Sequence, residues 1–275
     1  MYLVTGATGV IGRPLVAALL SAGLPVRAVS RRPDAALPHG VGLVSPEELD
    51  LADVESLFVH PRATKDYVDD LLRRAVAHGV RRVVVLSAIN ADDDPSHQPS
   101  RYNGDRNTEV ENAVVACGLP WVSVRPSSFA TNTLAMWRGP IALGDMVFGP
   151  YSAFTEAVIH EQDVADVIAR AMVDDALDGR RLSITGPEAL SLEQLVAIIG
   201  TALGKPLRYQ EVPAEAAASA MVAHGLDAGF VHALLSRYAR ELERRPVVTD
   251  ELATVLVRPA RSFAEWVEDH RKEWS

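Results

Sequence analysis

Three glycines spaced three apart near the start of the chain carry the first chemistry that can be read from it. They lie in Thr5-Gly6-Ala7-Thr8-Gly9-Val10-Ile11-Gly12, after the apolar run Tyr2-Leu3-Val4 and at the opening of an Ala/Leu-rich stretch with helical spacing over 10–22. Strand, glycine turn and helix in that order form a dinucleotide fingerprint. Gly6 lets the chain turn sharply off the strand, Gly9 lets the backbone approach a pyrophosphate, and Gly12 lets the helix pack closely on the sheet. The helix N-terminus, with Thr8, Val10 and Ile11 in the turn, then directs free N–H groups and a dipole at the phosphates. The next apolar run ends Ser30-Arg31-Arg32, with Asp34 beyond a proline. Dinucleotide folds that take NAD place an acidic residue there for the ribose 2′-hydroxyl, whereas a 2′-phosphate is met by arginine. The fork of a guanidinium can form paired, charge-assisted bonds to that phosphate, so Arg31 and Arg32 point to NADP(H).

The rest of the composition narrows the choice. Lysine occurs only at Lys65, Lys205 and Lys272, which restricts any mechanism that needs that amine to three positions. A single cysteine, Cys117, excludes an intramolecular disulfide and a cysteine metal cluster. A formal net charge of −9 argues against nucleic acid as the main partner. No apolar run is long enough to span a bilayer, and the chain enters its first strand at once, so a cytoplasmic protein is expected. Asp92-Asp93-Asp94-Pro95 reads as a solvated loop and no metal is expected there.

These residues need a scaffold, and its pattern is visible. Short apolar runs at 2–5, 25–30, 56–60, 82–87, 120–124 and 181–185 alternate with helical stretches at 10–22, 65–79, 104–117 and 161–173. That alternation is the signature of a parallel sheet with helices on both faces, a doubly wound α/β (Rossmann) fold. The run Arg82-Val83-Val84-Val85-Leu86 suits a strand covered on both sides. Residues 33–55 hold only the weak strand Gly42-Leu43-Val44 and one possible turn near 47–51, too little for a crossover helix, so one flank of the sheet is expected to be trimmed. After Thr185-Gly186-Pro187-Glu188 the pattern becomes helical, with expected helices over 191–203, 213–224 and 228–244 and from Ser262 to the end. Residues 1–187 are therefore expected to form the cofactor-binding domain, and 188–275 a smaller, mainly helical substrate-binding part.

Four segments in this order resemble a known family. They are the glycine turn, Val26-Arg27-Ala28-Val29-Ser30-Arg31, Gly118-Leu119-Pro120-Trp121-Val122-Ser123-Val124-Arg125-Pro126, and Thr185-Gly186-Pro187-Glu188. Together they resemble the NmrA-like branch of the atypical short-chain dehydrogenase/reductases over nearly the whole chain. Only 33–55 departs, lacking the family's Gly-Asp pair beside the adenine and the helix after it. The resemblance implies catalytic roles for a serine ending the fifth strand, a tyrosine beyond it and a lysine four residues later. Here those positions fall on Ser87, Tyr102 and Arg106. In such enzymes the tyrosine protonates a developing alkoxide, and the cation beside it favours phenolate. Arg106 could act electrostatically but cannot relay a proton. A second register puts the family's polar helix position on Asn107 and leaves Tyr102 in a loop that closes the pocket. The proton could then come from water or a substrate hydroxyl.

The resemblance also sets Pro126, Ser127 and Phe129 (in Pro126-Ser127-Ser128-Phe129) against the nicotinamide, and His60 and Pro61 at the cofactor edge. His60 reads more readily as a structural histidine than as a catalyst. Trp137, Phe148, Tyr151 and Phe154, with Phe129, fall where substrate loops are expected, and as a group suggest a flat, apolar substrate. Two functions remain open. One is an NADPH-dependent reductase of a ketone or quinone, acting as a monomer or homodimer on a sizeable aromatic carbonyl compound. The other is a non-catalytic NADP(H)-binding redox sensor of the NmrA type, for which the missing lysine speaks.

Overall fold

The computed structural model describes residues 1–274. The first six strands are β1 (Tyr2–Val4), β2 (Val26–Val29), β3 (Gly42–Val44), β4 (Ser56–Val59), β5 (Arg82–Leu86) and β6 (Trp121–Pro126). They are followed by β7 (Met146–Gly149), β8 (Thr155–Glu156), β9 (Arg180–Ile184), β10 (Leu190–Ser191) and β11 (Arg208–Glu211). The helices of the first part are α1 (Gly12–Ser21), α2 (Pro61–Thr64), α3 (Val68–Ala77), α4 (Asn107–Ala116), α5 (Thr131–Leu143) and α6 (Glu161–Ala171). Then come α7 (Leu192–Leu203), α8 (Ala214–Ala223), α9 (Ala228–Glu241), α10 (Glu251–Leu256) and α11 (Phe263–Asp269).

Seven parallel strands form one sheet in the order β3-β2-β1-β4-β5-β6-β9. This is the doubly wound Rossmann arrangement. The order reverses between β1 and β4, so a crevice opens at their carboxyl ends, where such sheets bind ligands. Alternation along the strands sends Val4, Phe58, Val84 and Val124 to one face, against Leu15 and Leu19 of α1 and Val164 and Ile168 of α6. Leu3, Leu57, Val83 and Val85 face the other way, onto Leu71 and Leu72 of α3 and Val110 and Val114 of α4. All five residues of β5 are buried, as its apolar run required.

No helix forms across 33–55. Gly42–Val44 becomes the edge strand β3, and Leu49 and Leu51 bury their side chains under α3 in place of a crossover helix. A further core is built from Trp137, Ile141, Phe154, Val196, Ile199, Leu235 and Trp266. It draws on α5, β7 and Phe154 as well as on the helices after 188, so this core crosses position 187. Helix α5 and the two-stranded pairs β7/β11 and β8/β10 lie outside the elements that the sequence pattern marks.

Candidate functional site

The glycine turn is built as its spacing required. Gly6 has φ +63°, and a Cβ there would lie 3.0 Å from the His60 side chain. Gly9 N–H donates to the Gly6 carbonyl at 3.0 Å. At Gly12 a Cβ would stand 2.2 Å from that same carbonyl oxygen, so no other residue fits. No side chain caps the N-terminus of α1, which leaves its amide end open toward a ligand. Thr5 braces the turn from below: its hydroxyl donates to Phe58 O at 2.9 Å and accepts from His60 N–H at 2.8 Å. Arg13, which sequence reasoning missed, donates to Thr8 O at 3.1 Å and to Ala36 O at 2.9 Å, tying the turn to the segment after β2.

That segment begins with Arg31 and Arg32. Both are exposed, and neither guanidinium makes a hydrogen bond or ion pair among the described residues. Tyr67, at the start of α3, lies within the field of Arg31; burial pushes its phenol up while the arginine opposes the shift. Two cations at the end of the second strand, free of internal partners, suit a phosphate monoester.

At the ends of β4 and β5 the structure leaves two buried polar atoms without partners, His60 Nδ1 and Ser87 Oγ. Burial pushes the His60 imidazole below its ordinary range, so the ring is neutral at pH 7. Ser87 Oγ sits beside the Glu111 carboxylate without a bond of normal length. Glu111, 1% exposed at its side chain, accepts from Arg125 Nε at 3.0 Å and Nη2 at 2.7 Å and from Arg181 Nε at 2.6 Å. Burial alone would raise its carboxyl, but the charge-assisted bonds from Arg125 and Arg181 outweigh it and hold the group at about 2. Arg125 also grips Asp92, at 2.6 and 3.1 Å. The three aspartates therefore go separate ways: Asp93 pairs with Arg240 at 2.6 Å, and Asp94 caps Ser96 N–H at 2.9 Å.

Ser87 follows the end of β5 as expected, but Tyr102 and Arg106 do not stand one turn apart on a common helix. Residues Pro99–Asn103 form a 3-10 turn, Gly104 has φ +90°, and α4 begins only at Asn107. Tyr102 is 45% exposed and its ring lies against Gly229 of α9, where a Cβ would fall 2.3 Å from Tyr102 Cε1. Arg106 directs Nη1 to the carbonyls of Arg101 at 3.0 Å and Asp105 at 2.7 Å. Asn107 is buried, with Nδ2 3.4 Å from Ser100 Oγ. Lys65 brings its amine to within 3.8 Å of where a Gly104 Cβ would stand, beside the Arg62–Asp105 pair at 2.8 Å.

The segment from Pro126 to Phe129 crosses the carboxyl end of β6. Ser127 N–H donates to Ile184 O at 2.9 Å, its hydroxyl bonds Ala157 O, and Phe129 bridges to Ile159. The aromatic group is brought together only in part, Tyr151 packing against the core that holds Trp137 and Phe154. Trp137 and Phe154 are buried in the further core, Phe154 stacked on Tyr238 at 4.1 Å between ring centres. Phe148 is 63% exposed on β7. Tyr151, with φ +54°, borders a cavity of about 430 Å³ with Pro150, Glu211, Val212, Pro213 and Ala214.

A close-approach glycine cradle at a sheet switch point, an open helix N-terminus and unpartnered polar atoms on its rim define a dinucleotide-binding protein. The profile of a family described as NAD(P)H-binding matches residues 6–175. A (4-alkanoyl-5-oxo-2,5-dihydrofuran-3-yl)methyl phosphate reductase of Streptomyces griseus is 30% identical over 285 residues, spanning 100% of this chain and 99% of its own. An NAD(P)H azoreductase of Xenophilus azovorans is 30% identical over 286 residues and 98% of each chain. The crystal structure of an NADPH-dependent quinone oxidoreductase of Escherichia coli complexed with NADPH superposes with a TM-score of 0.81 at 22% identity, covering 98% of this chain and 99% of that one. An NmrA mutant superposes with a TM-score of 0.70 at 20% identity over 98% and 94% of the two chains. The chain belongs to the NAD(P)H-binding family and has the fold of its NmrA-like branch; its full-length relatives put it among the oxidoreductases. NADP(H), the cofactor expected from the glycine turn and Arg31, lies within that family's ligand class.

Proposed function

We propose that this chain is an NADPH-dependent reductase of conjugated, electron-poor acceptors of the quinone type, in preference to isolated ketones. The observation that carries the reading is the placement of Tyr102 against Gly229 and of Arg106 on two backbone carbonyls. Reduction of an isolated ketone leaves an alkoxide, a strong base that needs a positioned acid. Reduction of a quinone leaves a phenolate-type anion, whose conjugate acid lies near the value of about 10 for tyrosine, and water can protonate it. A site without an assembled tyrosine–cation pair suits the second acceptor. The names of the relatives support the reading: an unsaturated oxo-dihydrofuran phosphate, an azo group and a quinone stand in them, and none names an isolated ketone.

The glycine turn and the open end of α1 would hold the pyrophosphate, and Arg31 with Arg32 the 2′-phosphate. His60 Nδ1, neutral and unpartnered, and Ser87 Oγ are the polar atoms free to orient a ligand at the ends of β4 and β5. Pro126, Ser127 and Phe129 would form the wall past β6. The nicotinamide, when bound, supplies hydride. Phe129 and Tyr151 remain as apolar contacts for a flat acceptor; Trp137 and Phe154 support the wall from the core. Tyr102→Phe tests this reading. Turnover of a quinone should change less than tenfold, whereas loss of a general acid costs 10²–10⁴-fold, and a loss of that size would refute it. The sensor reading rests on the same missing lysine and would win if NADPH binds but no acceptor is reduced.

A further inference from the structure

Two arginines of α9 are left without a role in that account. Arg237 engages all three guanidinium nitrogens: Nη1 donates to Ser128 Oγ at 3.1 Å, Nη2 to Glu156 Oε2 at 3.0 Å and Nε to Glu241 Oε2 at 3.2 Å. Its guanidinium carbon also lies 5.7 Å from the Phe154 ring centre. Arg240, one turn on, donates from Nη2 to Asp93 Oδ2 at 2.6 Å and to Glu241 Oε1 at 3.0 Å. Glu241 is thus shared by both cations. Ser128 lies on the segment that leaves β6, and Asp93 on the segment that leaves β5. Those two segments border the crevice where an acceptor must meet the cofactor. The flanking aspartates are held by other partners, Asp92 by Arg125 and Asp94 by Ser96, so Asp93 is the carboxylate of this loop that answers to α9. The ring of Tyr102, from the same loop, closes on Gly229 at the other end of α9.

We propose that Arg237 and Arg240 are positioning residues, a two-pronged clamp through which α9 fixes the loops after β5 and β6 in one mutual arrangement around the acceptor. Neither residue needs to touch the reacting atoms. Arg237 and Glu156 are mostly buried, and a buried guanidinium stripped of its partner is strongly unfavourable, while Arg240 and Asp93 are partly exposed and hold their loop through geometry more than through burial. Because Glu241 is common to both, loosening one prong loosens the other, and the two loops behave as one unit. Its kinetic consequence rests on the reductase reading; its structural consequence does not.

The test uses the full chain with Arg240→Gln, Asp93→Asn and the double variant, which act at the more exposed prong and spare Arg237. With NADPH and a naphthoquinone, each single variant should lower kcat by roughly ten- to a hundredfold, the cost of a misplaced reacting group. NADPH affinity, read by nicotinamide fluorescence, should be unchanged. The double variant should be no worse than the worse single, and Arg240→Lys should recover part of the loss. Hydrogen exchange should rise both at 88–105 and, across the site, at 127–130. Additive kinetic losses, or faster exchange confined to 88–105, would overturn the clamp. If the parent reduces no acceptor, the reductase reading fails, and exchange at 127–130 alone decides the clamp.

Discussion

Replacing Glu111 by glutamine keeps the shape of the side chain and removes the charge on which Arg125 and Arg181 converge. The parent carboxyl stands at about 2 against an ordinary 4.5. That depression is about 2.5 pH units, and at about 1.36 kcal/mol per unit it corresponds to roughly 3 kcal/mol of stability at pH 7. The sign follows from proton uptake. The unfolded carboxyl binds a proton as pH falls through 4.5 while the folded one does not, so this contribution is full above about pH 5 and is lost as pH approaches 2. Urea unfolding of parent and Glu111→Gln should therefore differ by about 3 kcal/mol at pH 7, and by roughly half that at pH 3. The magnitude agrees with the 3–5 kcal/mol typical of a broken buried ion pair. A gap that stays constant from pH 7 to pH 3, or one below about 1 kcal/mol at pH 7, would refute the electrostatic account of this network.

Three further outcomes follow from the site. Arg31→Ala should weaken NADPH binding by about 1–3 kcal/mol and leave NADH nearly unchanged, as read by nicotinamide fluorescence. Gly12→Ala, whose Cβ would meet Gly6 O at 2.2 Å, should lose about 1–3 kcal/mol of stability in urea unfolding and most of its NADPH affinity. His60 should titrate by NMR below its ordinary 6.5, because burial disfavours the charged ring. As pH falls below 6.5 the unfolded chain gains a proton there that the folded chain refuses, so His60→Phe should remove part of the acid destabilisation seen in parallel unfolding curves.

The glycine turn was legible because its constraint is local: a left-handed Gly6 and a backbone contact at Gly12 admit one residue type each. The sheet was legible because strands buried on both faces must be largely apolar, as in Val83 to Leu86 of β5. Signals that depend on tertiary contact were not. The helix expected over 104–117 starts at Asn107 because Gly104 turns left-handed and Arg106 bonds backward to carbonyls. The stretch 65–79 breaks at Tyr67, whose ψ of 14° at φ −143° separates α2 from α3. Helix α5 was hidden by Gly139-Pro140 near its end, and β7, β8, β10 and β11 by their lengths of two to four residues. Trp137 and Phe154 looked like pocket aromatics because type and spacing do not reveal which side of a wall a ring occupies. The α9 clamp was out of reach, since Arg237 meets Ser128 across 109 residues and Arg240 meets Asp93 across 147.

The most direct test of the central claim is oxidation of NADPH by the purified chain, followed by loss of nicotinamide absorbance, with a quinone and an isolated cyclic ketone of matched size. A site that lacks an assembled proton donor should give kcat/KM at least roughly a hundredfold higher for the quinone, the lower end of what a general acid contributes. Equal turnover of the two acceptors, or none of either while NADPH binds, would contradict it.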